Sequence, residues 1–167
     1  MRGANALGKD FVTAYIVLRF FLTRGPVRVI TTSADYSQLE AVLWGEIRRF
    51  IQTSRFPLDA KDGGPLVVNH LHLRKQINGV ICPLSYMIGR QAAKGEGMLG
   101  HHIADIGDGI PRTLWAADEG SGVDDIAYER ATTWAKRILV IGNPYPPSNT
   151  FFEKGCEGGD ILIEGKA

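Results

Sequence analysis

The chain has 167 residues, 44% of them hydrophobic, enough for one domain of ordinary size with a genuine core. Its 19 Lys and Arg are balanced by 18 Asp and Glu, which excludes a basic tail that coats nucleic acid. Arg48, Arg49 and Arg55, and the pair Lys136 and Arg137, read first as solvated helix faces. Cys82 and Cys156 lie far apart without CxxC spacing, so reduced thiols are expected rather than a disulfide or metal site.

In chain order, the first feature is Gly3-Ala4-Asn5-Ala6-Leu7-Gly8-Lys9-Asp10. It has the form of a phosphate-binding loop, G-x-x-x-x-G-K followed by a polar residue, and it runs into an apolar helix over 9–23. Such loops aim successive backbone N–H groups at phosphate oxygens, helped by the positive end of the following helix. The nucleotide contacts expected here are Gly3, Ala4, Asn5, Ala6, Leu7, Gly8, Lys9, Asp10 and Phe11. The run Phe11–Leu18 is not a secretory signal or a membrane span. Arg19 interrupts it, no small-residue cleavage site follows, and it is too short.

Gly25-Pro26 closes that helix, and Val27–Thr32 reads as a β-branched strand. Asp35 caps a helix with Gln38 at the capping-box position and Leu39, Val42, Leu43, Ile47, Phe50 and Ile51 at helical spacing. Residues 56–64 form a loop. Leu66–Leu73 and Val80–Ile88 are strands of a hairpin turning at Asn78-Gly79. A glycine-rich crossing, 95–109, leads to a strand at 112–117, a helix from about Val123 to Arg137, and a strand at Ile138–Ile141. Strands alternating with helices predict a largely parallel sheet covered on both faces.

Two strand ends supply chemistry. The apolar strand 112–117 finishes in Asp118-Glu119, the form of a Walker B motif. Magnesium on nucleotide phosphates wants a carboxylate delivered rigidly beside the phosphate loop, a role for Asp118. Glu119 is then placed to deprotonate the water that attacks the γ-phosphorus. Asn143 ends the next strand, where it either reports nucleotide state or simply makes a turn with Pro144. Gly95-Glu96-Gly97-Met98-Leu99-Gly100 matches the dinucleotide fingerprint, but the segment after Gly100 leaves no room for a crossover helix. His101, His102 and Asp105 suggest packing or turn roles rather than a metal site, because adjacent histidines diverge.

In order along the chain stand Gly3–Asp10, Val27–Thr32, Leu43-Trp44-Gly45-Glu46-Ile47, Glu96–His102, Leu114–Glu119 with Gly120-Ser121-Gly122-Val123, and Ile141-Gly142-Asn143-Pro144. Together, over roughly residues 3–155, they resemble the ATPase domain of tailed-phage terminase large subunits. The resemblance implies an α/β, three-layer αβα P-loop NTPase of the additional-strand, catalytic-glutamate class with a mainly parallel sheet. It implies ATP and Mg²⁺ as cofactors, with Lys9 and Glu119 catalytic and Asp118 and Asp10 at the metal. Asn143 falls at the coupling motif, and Arg90 is a candidate arginine finger. The implied function is ATP hydrolysis that drives packaging of viral double-stranded DNA into a capsid. Implied partners are that DNA, the portal protein, the small terminase subunit and further copies in a ring, with no membrane. The implied location is the bacterial host cytoplasm. A helicase-like P-loop ATPase and a catalytically inert terminase fragment are the alternatives.

Three departures from the family pattern are expected to matter. The strand leading into the loop is expected to be missing before Arg2, so that either a longer native chain begins upstream or this product is unstable or needs a partner strand. That strand is central in the family fold, and its loss is expected to leave two neighbouring strands unpaired, each buried backbone group costing on the order of 1–3 kcal/mol. Asp10 replaces the usual magnesium-binding hydroxyl. Residues 1–167 are expected to be a single truncated P-loop ATPase domain, without the nuclease domain of the family.

Overall fold

The computed structural model describes residues 8–91 and 99–142. Helix α1, Lys9–Leu22, follows Gly8 and leads to strand β1, Arg28–Ser33. Asp35 accepts from the Ser37 amide at 2.7 Å and starts a continuous helical rod. The rod consists of α2 (Tyr36–Gln38), a π-helical stretch (Leu39–Leu43) and α3 (Trp44–Thr53). Strands β2 (Leu66–Asn69), β3 (His72–Ile77) and β4 (Val80–Gln91) follow, then β5 (Thr113–Asp118), helix α4 (Asp125–Thr132) and β6 (Arg137–Val140).

The six strands form one sheet in the order β2-β3-β4-β1-β5-β6. Strands β4, β1, β5 and β6 are parallel, whereas β2 and β3 are antiparallel additions. The fold is thus mixed α/β with a mostly parallel sheet, in line with the expected largely parallel sheet. Asn78 and Gly79 have φ of 51° and 80°, the doubly positive conformation of the expected hairpin turn.

Several expectations are corrected. Residues 66–73 are not one strand, because the chain reverses at His70-Leu71 and returns as β3. The helix expected to reach Arg137 ends at Thr132. Thr132 and Thr133 turn their hydroxyls back onto the carbonyls of Glu129 and Arg130, each at 2.7 Å. The Thr113 hydroxyl then ties the turn to β5, donating to the Trp134 carbonyl and accepting from the Lys136 amide, both at 2.9 Å. The sheet also closes without a gap between β1 and β5, which pair over six residues. Among the described residues, the strand beside β5 on its other side is β6, and β6 is a sheet edge. Among the described residues β2 and β6 are thus the two outer strands, and no interior strand lacks a neighbour.

Alternation along the strands separates two apolar clusters. One face packs Val29, Met87, Leu114, Ala116 and Leu139 against α1 and the 36–53 rod. The other packs Ile30, Trp115, Ala117, Ile138 and Val140 against α4. The indole of Trp44 donates to Thr31 Oγ1 and that of Trp115 to Thr32 Oγ1, both at 2.9 Å. Consecutive threonines of β1 thus anchor a tryptophan on each face. Among the described residues, Tyr86 and Ile88 of β4 lie half-buried at the margin of the second cluster, and His101 packs on Tyr86 there. No helix among the described residues is long and apolar enough to cross a membrane.

Candidate functional site

The site lies where the C-terminal end of β5 meets the start of α1. Gly8, in left-handed conformation with φ 70°, turns the chain into α1, and no side chain caps that helix. The first amides of α1 therefore have no side-chain partner at the cap, the arrangement that favours an anion. Lys9 is buried and its Nζ is in contact with Glu119 Oε1, bringing together residues 110 positions apart.

Asp118 ends β5 and is almost fully buried. Its Oδ1 accepts the Glu119 amide at 3.0 Å, while Oδ2 has no hydrogen-bond partner. Burial first, then the charges of Asp10 and Glu119, push its carboxyl up to about 6; the Glu119 amide and Lys9 oppose the rise. Asp10 therefore belongs to the same electrostatic cluster. Glu119 itself sits at φ 48°, a left-handed conformation that side chains other than glycine rarely adopt. Its position is held by the next residues: the Gly120 amide donates to the Ile141 carbonyl at 2.8 Å, and Tyr128 Oη donates to the Gly120 carbonyl at 2.9 Å.

Sequence reasoning missed Ser33. It stands opposite Asp118 in the parallel register, and its buried hydroxyl has no partner. Strand alternation puts Ser33 on the same face as Val29 and Asp118 on the same face as Leu114, so both belong to the α1 side. Two adjacent unpartnered polar groups thus face the side from which Lys9 enters. The signal in the chain is the hydroxyl run Thr31-Thr32-Ser33 closing an apolar strand, but only the register gives it meaning.

The other expected residues are dispersed. Phe11 packs on Phe50 of α3 with ring centroids 4.8 Å apart. Arg90, at the end of β4, is exposed and pairs in register with Thr32, two strands away from Ala117. Gly3, Ala4, Asn5, Ala6, Leu7, the segment 95–98, Asn143 and Cys156 lie outside the described residues. His101 contacts Tyr86 and Trp134, with its Nδ1 2.8 Å from Tyr86 Oη, which agrees with packing.

Among the described residues, no group of three His, Cys, Asp or Glu side chains is arranged to hold a metal by itself. Mg²⁺ does not need one, since it commonly takes one or two carboxylates together with phosphate oxygens and waters. The orphaned Asp118 Oδ2, with Asp10 beside it, fits that mode of binding.

Comparison with family models and with curated proteins gives no match. Among solved structures, the chain is similar to the large terminase of a thermophilic bacteriophage, at 13% sequence identity and a TM-score of 0.65. The likeness covers 97% of this chain and 37% of that one, so the chain spans little more than a third of the terminase's length. At this identity what is shared is the fold, which is terminase-like.

Proposed function

We propose that this chain is the ATP-hydrolysing part of a terminase-like motor that moves double-stranded DNA. The observation that carries the reading is the meeting of Lys9 with Glu119 beside buried Asp118, at the uncapped start of α1. A lysine, a buried acid and a second, partly accessible acid at one strand end are the parts that phosphoryl transfer needs.

In this reading Lys9 leaves Glu119 to hold the terminal phosphates, and the α1 amides bind the remaining phosphate oxygens. Asp118 and Asp10 hold Mg²⁺, with Ser33 a neighbouring hydroxyl donor. The metal, when bound, offsets phosphate charge. Glu119, released from Lys9, accepts the proton of the attacking water. The protein named in the structural comparison is a large terminase, and from it the reading takes DNA, the portal, a small subunit and a ring of copies as partners. Asn143 as coupling residue and Arg90 as arginine finger complete the proposal.

The test is nucleotide binding by the purified chain, read with a fluorescent ATP analogue. Lys9→Ala is expected to weaken binding at least about tenfold, as loss of one desolvated charge-assisted contact should. Equal binding by Lys9→Ala and wild type would remove Lys9 from the phosphate site.

A further inference from the structure

The four neighbouring strands β1 to β4 carry Arg28, Arg74, Lys75 and Arg90 but no Asp or Glu, although the whole chain is nearly neutral. Lys75 is turned to the α1 side, where it donates to the Leu22 carbonyl at 3.1 Å. The three arginines share the other face. Arg28 alternates with Ile30 and Arg90 with Ile88, both on the α4 side, and Arg74 stands opposite Tyr86.

Among the described residues α4 does not reach this part of the sheet, and the segment Gly100–His102 lies over its Arg28–Tyr86 end, with His101 against Tyr86. Arg28, Tyr86 and Arg74 form one row across three strands, with Ile88 and His72 in the next row and Arg90 beyond them. Strand spacings put the Arg28 and Arg74 backbones about 10 Å apart, and Arg90 about 13 Å along the strand from the Tyr86 position. The charges feel one another: burial and then Arg74 and Arg90 hold the His72 imidazole below its usual value. Arg28 lies over the Tyr86 ring at 5.2 Å and donates to the His102 carbonyl at 2.7 Å, which fixes its guanidinium. Among the described residues, none of the three arginines has a carboxylate partner; the ion pairs there join other residues.

We infer that this sheet face, through exposed Arg90 and half-buried Arg74, binds the sugar-phosphate backbone of duplex DNA. Three arginines without acids make a surface complementary to a polyanion, and guanidinium groups match phosphate oxygens two at a time. A protein partner would need an apolar centre, whereas Tyr86 and Ile88 are half-buried and no large exposed hydrophobic residue lies between the arginines. Nucleic-acid interfaces are more polar and far more positive. The spacing of about 10–13 Å allows contacts on both sides of a groove about 12 Å wide.

The inference deepens the DNA-motor reading, yet it rests on these arginines and not on the nucleotide site. It is tested by fluorescence anisotropy with a 30-base-pair duplex at several salt concentrations, using the full chain. Arg74→Gln/Arg90→Gln is expected to bind at least about tenfold more weakly, with a salt slope shallower by about two. Arg55→Gln, a surface change elsewhere, is expected to match wild type. Arg74→Lys/Arg90→Lys should restore the salt slope, and melting curves confirm that each variant is folded. Undiminished binding by the glutamine pair overturns the inference, as does wild type that ignores duplex DNA or prefers polyglutamate. Arginine-dependent DNA binding without any ATP binding would sustain this inference while removing the ATPase reading.

Discussion

Glu119 has two incompatible tasks in the proposed cycle. It neutralises Lys9 in the ligand-free protein and must give Lys9 up when phosphates arrive. A ligand binds an occupied lysine less tightly by whatever the existing contact contributes. Glu119→Gln is therefore expected to bind ATP about three- to tenfold more tightly than wild type in a metal-free titration. Unchanged affinity would mean that the contact does not compete with phosphate. Asp118 carries the opposite kind of cost. Its carboxyl is raised to about 6 in the fold from an ordinary 3.8. The protonated form's advantage is full below the unfolded value and is lost as pH rises through about 6. At pH 7.5 the ionised group thus burdens the ligand-free fold by about 3 kcal/mol. Asp118→Asn is expected to be more stable than wild type at pH 7.5 and to lose most of that margin at pH 4, read by urea unfolding. A variant no more stable at pH 7.5 would contradict the burial argument.

Strand β1 owes its place to hydrogen bonds as much as to apolar contact. Thr31→Val leaves the buried Trp44 indole N–H without its acceptor, and Thr32→Val does the same for Trp115. Each is expected to cost about 1–3 kcal/mol, measured by chemical unfolding. Gly89 matters for the same tryptophan, since an added Cβ would stand 2.7 Å from Trp44 Nε1 and 3.2 Å from Leu71 Cβ. Gly89→Ala should therefore destabilise, whereas Gly45→Ala, with nothing within 4 Å in mid-helix, should stabilise by up to about 1 kcal/mol. If the two changes act alike, the packing of Trp44 is not what fixes β4 against the rod.

Such contacts mark the limit of what was legible in the chain. Local chemistry was readable: Asp35 at a helix start, Asn78-Gly79 at a hairpin, Gly8 before α1. The reversal at His70-Leu71 was not, because neither residue is a turn former and pairing with β3 decides it. The early end of α4 was hidden for a related reason, as it depends on Thr113 of a different strand. At the site, Lys9, Asp118 and Glu119 were legible as separate motifs, while Ser33 needed the register of β1 against β5.

At the scale of the molecule, sheet order sets where stability resides. Strand β5 is paired on both sides, and β6 has a partner on one side among the described residues. Ile138, Leu139 and Val140 are buried, so β6 is interior in packing. Amide exchange is expected to show β5, paired on both sides, protected throughout. Fast exchange within β5 would contradict that two-sided pairing. Arg74 and Arg90 put cationic groups on the second face of the same sheet, so nucleotide chemistry and polyanion contact would share one rigid element.

The most direct measurement is steady-state, Mg²⁺-dependent ATP hydrolysis by the purified chain beside Glu119→Gln, with ATP binding followed in the same samples. The expected result is turnover by wild type and a loss of at least about a hundredfold in Glu119→Gln with binding retained, the signature of a missing general base. Binding and turnover unaffected by Glu119→Gln, or a folded wild type that binds no ATP, would contradict the assignment of this site to phosphoryl transfer.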